Sequence, residues 1–268
     1  PYGELLTAVL GYVGRLDERD LERVDASEYR GTTHIGKLGV EKAYEDRLHG
    51  GRGLERVETN VQGRVLRVLE REDPVPGSDL VLSLDVAVQR AAWAALGDRA
   101  GSVVAMDPRD GAVLALVSKP SFDANLFVHG IRQADYQALL EAPGRPLFNR
   151  ALAGGYEPGS TLKPFVGLAG LELGVIDRSH REFSNGAYYL PNYDRPFRDW
   201  KNGGHGWVDL PGALEESVNT YFYALAYDLG IDRMHDYLGL FGFGSPTGID
   251  LPGESGGLLA PQPDLRGS

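Results

Sequence analysis

The apolar and polar positions divide the chain into segments of different period. Residues 5–16 are short and apolar, and residues 17–24 are charged, with room for one helical turn or two. Over 36–48, Leu38, Ala43, Tyr44 and Leu48 keep helical spacing until Gly50 and Gly51 end it, which predicts a helix. Residues 54–60 and 64–69 alternate around Val61-Gln62-Gly63 and predict a hairpin. Asp73-Pro74-Val75-Pro76-Gly77 then breaks the chain, and the domain boundary is expected there, dividing 1–78 from 79–268.

Beyond the break, 80–84 reads as a strand and 86–96 as a helix. Residues 102–106 and 113–118 predict a second hairpin around Asp107-Pro108-Arg109-Asp110-Gly111, a sequence rich in turn formers. One helix is expected near 133–140 within an irregular stretch. Residues 161–173 predict a helix apolar nearly all round, hence buried, closed by Gly174. Further helices are expected over 211–216, 220–229 and 233–241. An antiparallel hairpin followed by helices argues for an α+β fold over a parallel α/β one.

The 268 residues, 42% of them hydrophobic, suffice for one large domain and a smaller one. The net charge of −11 leaves no basic face for nucleic acid. With no cysteine there are no disulfides and no thiolate metal sites. No apolar run reaches the roughly 20 residues that span a bilayer. A start at Pro1 reads as a piece of something longer.

The chemistry concentrates in Tyr156-Glu157-Pro158-Gly159-Ser160-Thr161-Leu162-Lys163-Pro164. Pro158-Gly159 forces a turn, and Pro164 suits a first helical turn, where its missing N–H costs little. Ser160 therefore stands at the mouth of a helix, with Lys163 one turn on along the same face. A serine hydroxyl is a weak nucleophile until a base takes its proton, and a lysine whose pKa is lowered by burial can be that base. Alone, Ser-x-x-Lys also fits an N-capping serine and a solvated lysine; the flanking prolines and the cost of a lone lysine on an apolar helix favour the first reading. Ser217-Val218-Asn219 interrupts a helical stretch, and alone also fits a helix break with Asn219 as N-cap.

Together these motifs resemble class B penicillin-binding proteins. Arg198-Asp199-Trp200-Lys201, Gly204-His205-Gly206 and Leu214-Glu215-Glu216-Ser217 extend the likeness. Upstream, His34-Ile35-Gly36-Lys37-Leu38-Gly39, Tyr44-Glu45-Asp46, Leu48-His49-Gly50, Val57-Glu58-Thr59-Asn60 and Gly63-Arg64 resemble the pedestal of the elongation-type members. The resemblance implies the penicillin-binding transpeptidase or serine β-lactamase-like fold, an antiparallel sheet with helices on both sides, beside a small N-terminal pedestal. It implies a D,D-transpeptidase that cross-links peptidoglycan stem peptides through an acyl-serine and is inhibited by β-lactams. Ser160 would be the nucleophile and Lys163 its base. Ser217 would relay a proton to the leaving amine, and Asn219 would bind the stem peptide and orient Lys163. No cofactor is implied. The implied partners are a SEDS-family glycosyltransferase of the RodA type and a periplasmic shape-determining protein of the MreC type. The implied location is the extracytoplasmic side of a bacterial inner membrane, with a single-pass anchor in the parent protein.

The family's third motif, Lys-Ser/Thr-Gly, is not found here, since no lysine is followed by that pair. The chain stops at Pro263-Asp264-Leu265-Arg266-Gly267-Ser268, and the fold is expected to be incomplete at that end. Some relatives carry a zinc on an Asp, a His and a Cys inside the Ser-x-Asn motif. Asp199 and His205 stand in that neighbourhood but position 218 is Val, so a structural Asp–His pair and no metal is expected. Gly31–Leu38 nearly spells a phosphate loop but ends in Leu, and Gly253-Glu254-Ser255-Gly256-Gly257 fits a nucleophile elbow with no helix after it. The rival readings are a β-lactamase or D,D-carboxypeptidase, and a non-catalytic scaffold for the glycan polymerase.

Overall fold

The computed structural model describes residues 2–259, so 263–268 lie outside the described residues. The described residues form two compact units, one of 2–154 with 248–254 and one of 155–247 with 255–259. All five sheets among the described residues are two-stranded and antiparallel.

In the first unit, α1 (Glu4–Leu10) leads into β1 (Tyr12–Arg15), which pairs with β2 (His34–Leu38). Between these strands lies the single turn of α2 (Glu18–Leu21), closed by a reciprocal capping box of Asp17 and Asp20. Lys37 from β2 reaches both carboxylates, 3.0 Å from Asp17. The helix expected over 36–48 is shorter than its spacing predicts. Residues 36–38 belong to β2, and α3 (Gly39–Ala43) and α4 (Glu45–Leu48) follow. Gly39 makes the break: its φ is +62°, and an added Cβ would lie 2.3 Å from the Val9 carbonyl oxygen.

The predicted first hairpin is β3 (Leu54–Thr59) with β4 (Val65–Glu72). The Asn60 side chain closes its turn by accepting from the Gln62 and Arg64 N–H groups, both at 3.0 Å. Every residue of β4 is exposed. The expected strand over 80–84 does not form. Leu80, Leu82 and Leu84 alternate towards the core as a strand would, but the segment docks by side chains, with the Ser83 hydroxyl donating to the Val113 carbonyl.

α5 (Val86–Leu96), capped by Asp85, packs on the hairpin of β5 (Gly101–Met106) and β6 (Val113–Lys119). Fully buried Gln89 on α5 fastens three elements. Its amide nitrogen donates to the Leu5 and Leu116 carbonyls, and its oxygen accepts from the Leu116 N–H at 2.8 Å. All of its bonding capacity but one lone pair is used, which makes a buried amide tolerable. α6 (Asn125–Val128), α7 (Gln133–Glu141) and α8 (Arg150–Ala153) complete the unit. Val9, Val40, Leu116, Leu152 and Leu251 form its core.

The second unit begins with a 3-10 turn, Gly159–Leu162, that runs into α9 (Lys163–Glu172). This helix is not buried all round: Val166, Gly167, Ala169 and Gly170 face the core, whereas Leu168 is 39% exposed. Four short strands follow that the hydrophobic pattern does not reveal. β7 (Arg181–Ser184) pairs with β10 (Gly206–Asp209), and β8 (Ala187–Tyr188) with β9 (Phe197–Arg198). α10 (Leu210–Glu215), α11 (Asn219–Leu229) and α12 (Ile231–Gly239) close the unit.

The small residues of α9 let α11 approach closely. A Cβ on Gly170 would stand 2.8 Å from the Leu225 side chain. Val166, Ala169, Leu210, Ala213, Val218, Tyr221, Phe222 and Leu225 make the core between these helices. Within it, the buried Tyr221 hydroxyl has no partner among the described residues, and burial, with Glu182 and Asp209 nearby, pushes its pKa up to about 12. Tyr221→Phe removes that unsatisfied group and keeps the ring, so it should raise the stability measured by urea unfolding, by about 1 kcal/mol.

Candidate active site

The second unit brings the two predicted motifs together. Gly159, at φ +55°, makes the turn that Pro158 begins, a backbone that a side chain rarely adopts. The Lys163 N–H bonds back to the Ser160 carbonyl, so the step between them is 3-10 rather than α-helical. In a 3-10 turn, side chains three apart eclipse, which stacks Lys163 on Ser160 more directly than an α-helix would. Pro164 lies in the first turn of α9, as the sequence predicts. Ser160 is exposed and Lys163 half-buried.

The second motif ends α10. Ser217 adopts φ +52°, its N–H bonding to the Leu214 carbonyl at 3.3 Å, and the Val218 N–H reaches the Ala213 carbonyl at 2.9 Å. This is the pair of bonds with which a glycine in the left-handed region usually ends a helix, made here by a serine. Val218 is fully buried and pins the turn into the core. Asn219 is not the N-cap: it is the first residue of α11, and its side chain is engaged elsewhere.

That engagement is with Lys163. Its Nζ lies 2.7 Å from the Ser217 carbonyl oxygen, 2.7 Å from Asn219 Oδ1 and 3.0 Å from Ser217 Oγ. Ser217 Oγ in turn lies 3.0 Å from Ser160 Oγ. All four predicted residues thus form one connected group. Burial lowers the Lys163 pKa below its ordinary value, and the nearby Asp199 carboxylate partly opposes this. A left-handed serine costs about 1–2 kcal/mol. Ser217→Gly should therefore raise the melting temperature while it disables the hydroxyl contact between Ser160 and Lys163, an opposite movement of stability and reactivity to be read by calorimetry and acylation kinetics together.

Beneath the turn sits a polar cluster. The Asp199 side chain is fully buried, and that of His205 nearly so. Asp199 Oδ1 accepts from the Trp200 N–H at 2.8 Å and lies 3.3 Å from His205 Nε2. Oδ2 accepts from the Thr220 N–H at 3.0 Å and lies 3.2 Å from the Thr220 hydroxyl, which is 2.7 Å from Ser184 Oγ. Burial alone would raise the Asp199 pKa, but these donors hold it below the usual carboxylate range. The expected Asp–His contact is present. Thr220 and Ser184 carry no motif signal and were not anticipated from sequence.

The cluster does not suit the zinc that the resemblance raised. Both Asp199 oxygens are committed to protein donors, Ser184 is occupied with Thr220, and Val218 offers no ligand atom. No group of three potential ligands is found among the described residues.

Comparison with known proteins identifies the family. The family described as "Penicillin binding protein transpeptidase domain" matches residues 101–268, and "Penicillin-binding Protein dimerisation domain" matches 1–82. The chain is 48% identical to the peptidoglycan D,D-transpeptidase MrdA of Acinetobacter baumannii over 99% of its own length and 39% of that protein's. It is also 48% identical to MrdA of Escherichia coli K12, over 97% and 42%. The chain thus spans about two fifths of the length of these curated relatives. A crystal structure of Pseudomonas aeruginosa PBP2 in complex with WCK 5153 superposes with a TM-score of 0.82 at 45% identity, covering 97% of this chain and 53% of that one. PBP2 of Helicobacter pylori, in complex with MreC, gives 0.85 at 35% identity, covering 95% and 47%. With the Ser-x-x-Lys and Ser-x-Asn elements joined in one site, the chain belongs to the penicillin-binding protein transpeptidase family, on its class B, elongation-type branch.

Proposed function

We propose that this chain carries the acylating machinery of a peptidoglycan D,D-transpeptidase of cell elongation. The observation that carries the reading is the contact chain from Ser160 Oγ through Ser217 Oγ to Lys163 Nζ, with Asn219 on the far side of the amine. The Ser217 carbonyl and Asn219 Oδ1 can only accept, so they take two N–H bonds of a neutral Lys163 amine and leave its lone pair for Ser217 Oγ. Ser160 Oγ attacks the carbonyl between the two terminal D-alanines of a stem peptide, and its proton passes through Ser217 to Lys163. As the C–N bond breaks, the proton returns through Ser217 to the departing D-alanine amine. A neighbouring stem's amine then displaces Ser160 from the acyl-enzyme. The Ser160 N–H, at the start of the helical segment, would donate to the developing oxyanion.

A fluorescent penicillin should label the full-length protein and stay attached for longer than a catalytic turnover. Rapid release with opening of the β-lactam ring would point to a β-lactamase instead.

Residues 1–78 would serve as part of a pedestal that docks partners, with 79–268 forming the N-terminal portion of the transpeptidase domain. The MreC complex of the H. pylori relative supports an MreC-type partner; a RodA-type glycosyltransferase is the other expected one. The setting would be the extracytoplasmic side of a bacterial inner membrane, reached by a membrane anchor of the whole protein. Among the described residues no helix is long and apolar enough to cross a membrane. Val9 and Val40 belong to the same core as Leu116, so deleting 1–78 would damage more than a docking surface. A substitution on the exposed β4, such as Leu66→Asp, is the cleaner probe: it should weaken capture of an MreC-type protein and leave penicillin labelling intact.

A further inference from the structure

We propose that Asp199 and Trp200 are positioning residues, two consecutive side chains that clamp both flanks of the Ser217–Asn219 turn and so hold the groups that contact Lys163. The inference rests on the acyl-transfer reading of this site. On one flank, the Trp200 indole N–H donates to the Glu216 carbonyl at 3.0 Å, immediately before Ser217. On the other, the Asp199 carboxylate takes the Thr220 N–H at 3.0 Å, immediately after Asn219. The turn between them contains the left-handed Ser217, a conformation that persists only where its surroundings enforce it.

The clamp is itself anchored. The Asp199 N–H donates to the Gly186 carbonyl, and β9, which ends at Arg198, pairs with β8. The carboxylate can only accept, so the Thr220 hydroxyl donates to it and the Ser184 hydroxyl donates to Thr220. The indole ring meets the His205 ring edge to face at 5.4 Å. Two residues adjacent in sequence thus hold positions 216 and 220. Between these lie the Ser217 carbonyl, the Ser217 hydroxyl and the Asn219 amide, the three groups on Lys163 Nζ.

Trp200→Phe keeps an aromatic ring at this position but removes the indole N–H, together with the five-membered ring that carries it. Trp200 is 62% exposed, so this variant should fold normally. In the full-length protein with a fluorescent penicillin, the first-order acylation constant should fall by about three- to tenfold, the scale of one hydrogen bond. The non-covalent binding constant should not move, and the melting temperature should fall by no more than about 2–4 °C, the scale of one hydrogen bond. At the other flank, Thr220→Val should slow acylation and Thr220→Ser should restore it. A Trp200→Phe enzyme that acylates at the parent rate, or that changes only in binding affinity, overturns the clamp and makes Trp200 a bystander or a ligand contact. Failure of the unchanged protein to be acylated at all would instead overturn the acyl-transfer reading.

Discussion

Replacing Ser160 by alanine should abolish covalent labelling by a fluorescent penicillin altogether, with no compensating label elsewhere. Two other serines are worth watching. Ser217 lies 3.0 Å from Ser160 Oγ but is engaged with Lys163 on its other side. Ser255 lies in the Gly253–Gly257 loop, where an elbow-like sequence is followed by no helix among the described residues. Neither has Ser160's combination of an exposed hydroxyl, a place at the start of a helical segment and a path to a lysine. Because Ser160 is exposed, its truncation should change stability by no more than about 0.5 kcal/mol. Loss of label with an unchanged melting curve is therefore the expected pair of results. Label persisting on the Ser160→Ala protein, mapped by mass spectrometry to Ser217 or Ser255, would refute the assignment of the nucleophile.

Lys163→Arg should slow acylation by about two to four orders of magnitude, the usual scale for losing a general base. Arginine keeps a positive charge and several N–H donors for the Ser217 carbonyl and Asn219, but it stays protonated and cannot accept a proton near neutral pH. The pH dependence sharpens the test. A lysine acts as a base only when neutral, and burial brings the Lys163 pKa below the ordinary 10.5. Acylation by the parent protein should therefore rise with pH and level off above that lowered pKa. In the arginine variant this rise should vanish and leave a low, flat profile. An arginine variant that retains near-normal acylation would mean that Lys163 contributes only its charge.

Much of the local structure was legible because it rests on short-range chemistry. The hairpin at β5 and β6 follows from a turn-forming Asp-Pro-Arg-Asp-Gly between two strand-like segments, and α5 from the apolar spacing of 86–96. The errors arise where partners distant in sequence intervene. Residues 36–38 carry helical spacing, yet pairing with Tyr12–Arg15 makes them a strand. Residues 80–84 carry strand-like alternation, yet they dock on the core through side chains without forming a ladder. The four short strands over 181–209 have too few residues for a period to show.

The site divides in the same way. Pro158-Gly159 before a serine and Pro164 after a lysine determined a turn, a helix start and a nucleophile beside a candidate base, because backbone restrictions on proline and glycine act within a few residues whatever the rest of the chain does. Three things depended on the tertiary structure alone. Ser217 takes a left-handed backbone because α10 ends there and buried Val218 pulls the chain into the core. Asn219 turns from a helix cap into a lysine partner because α11 packs beside α9, where small Gly167 and Gly170 admit it. Asp199 reaches Thr220, 21 residues on, because β10 in the intervening stretch pairs back onto β7. A hydrogen bond across that distance has no local signature, since it depends on the packing of whole elements and not on the preferences of the residues that make it.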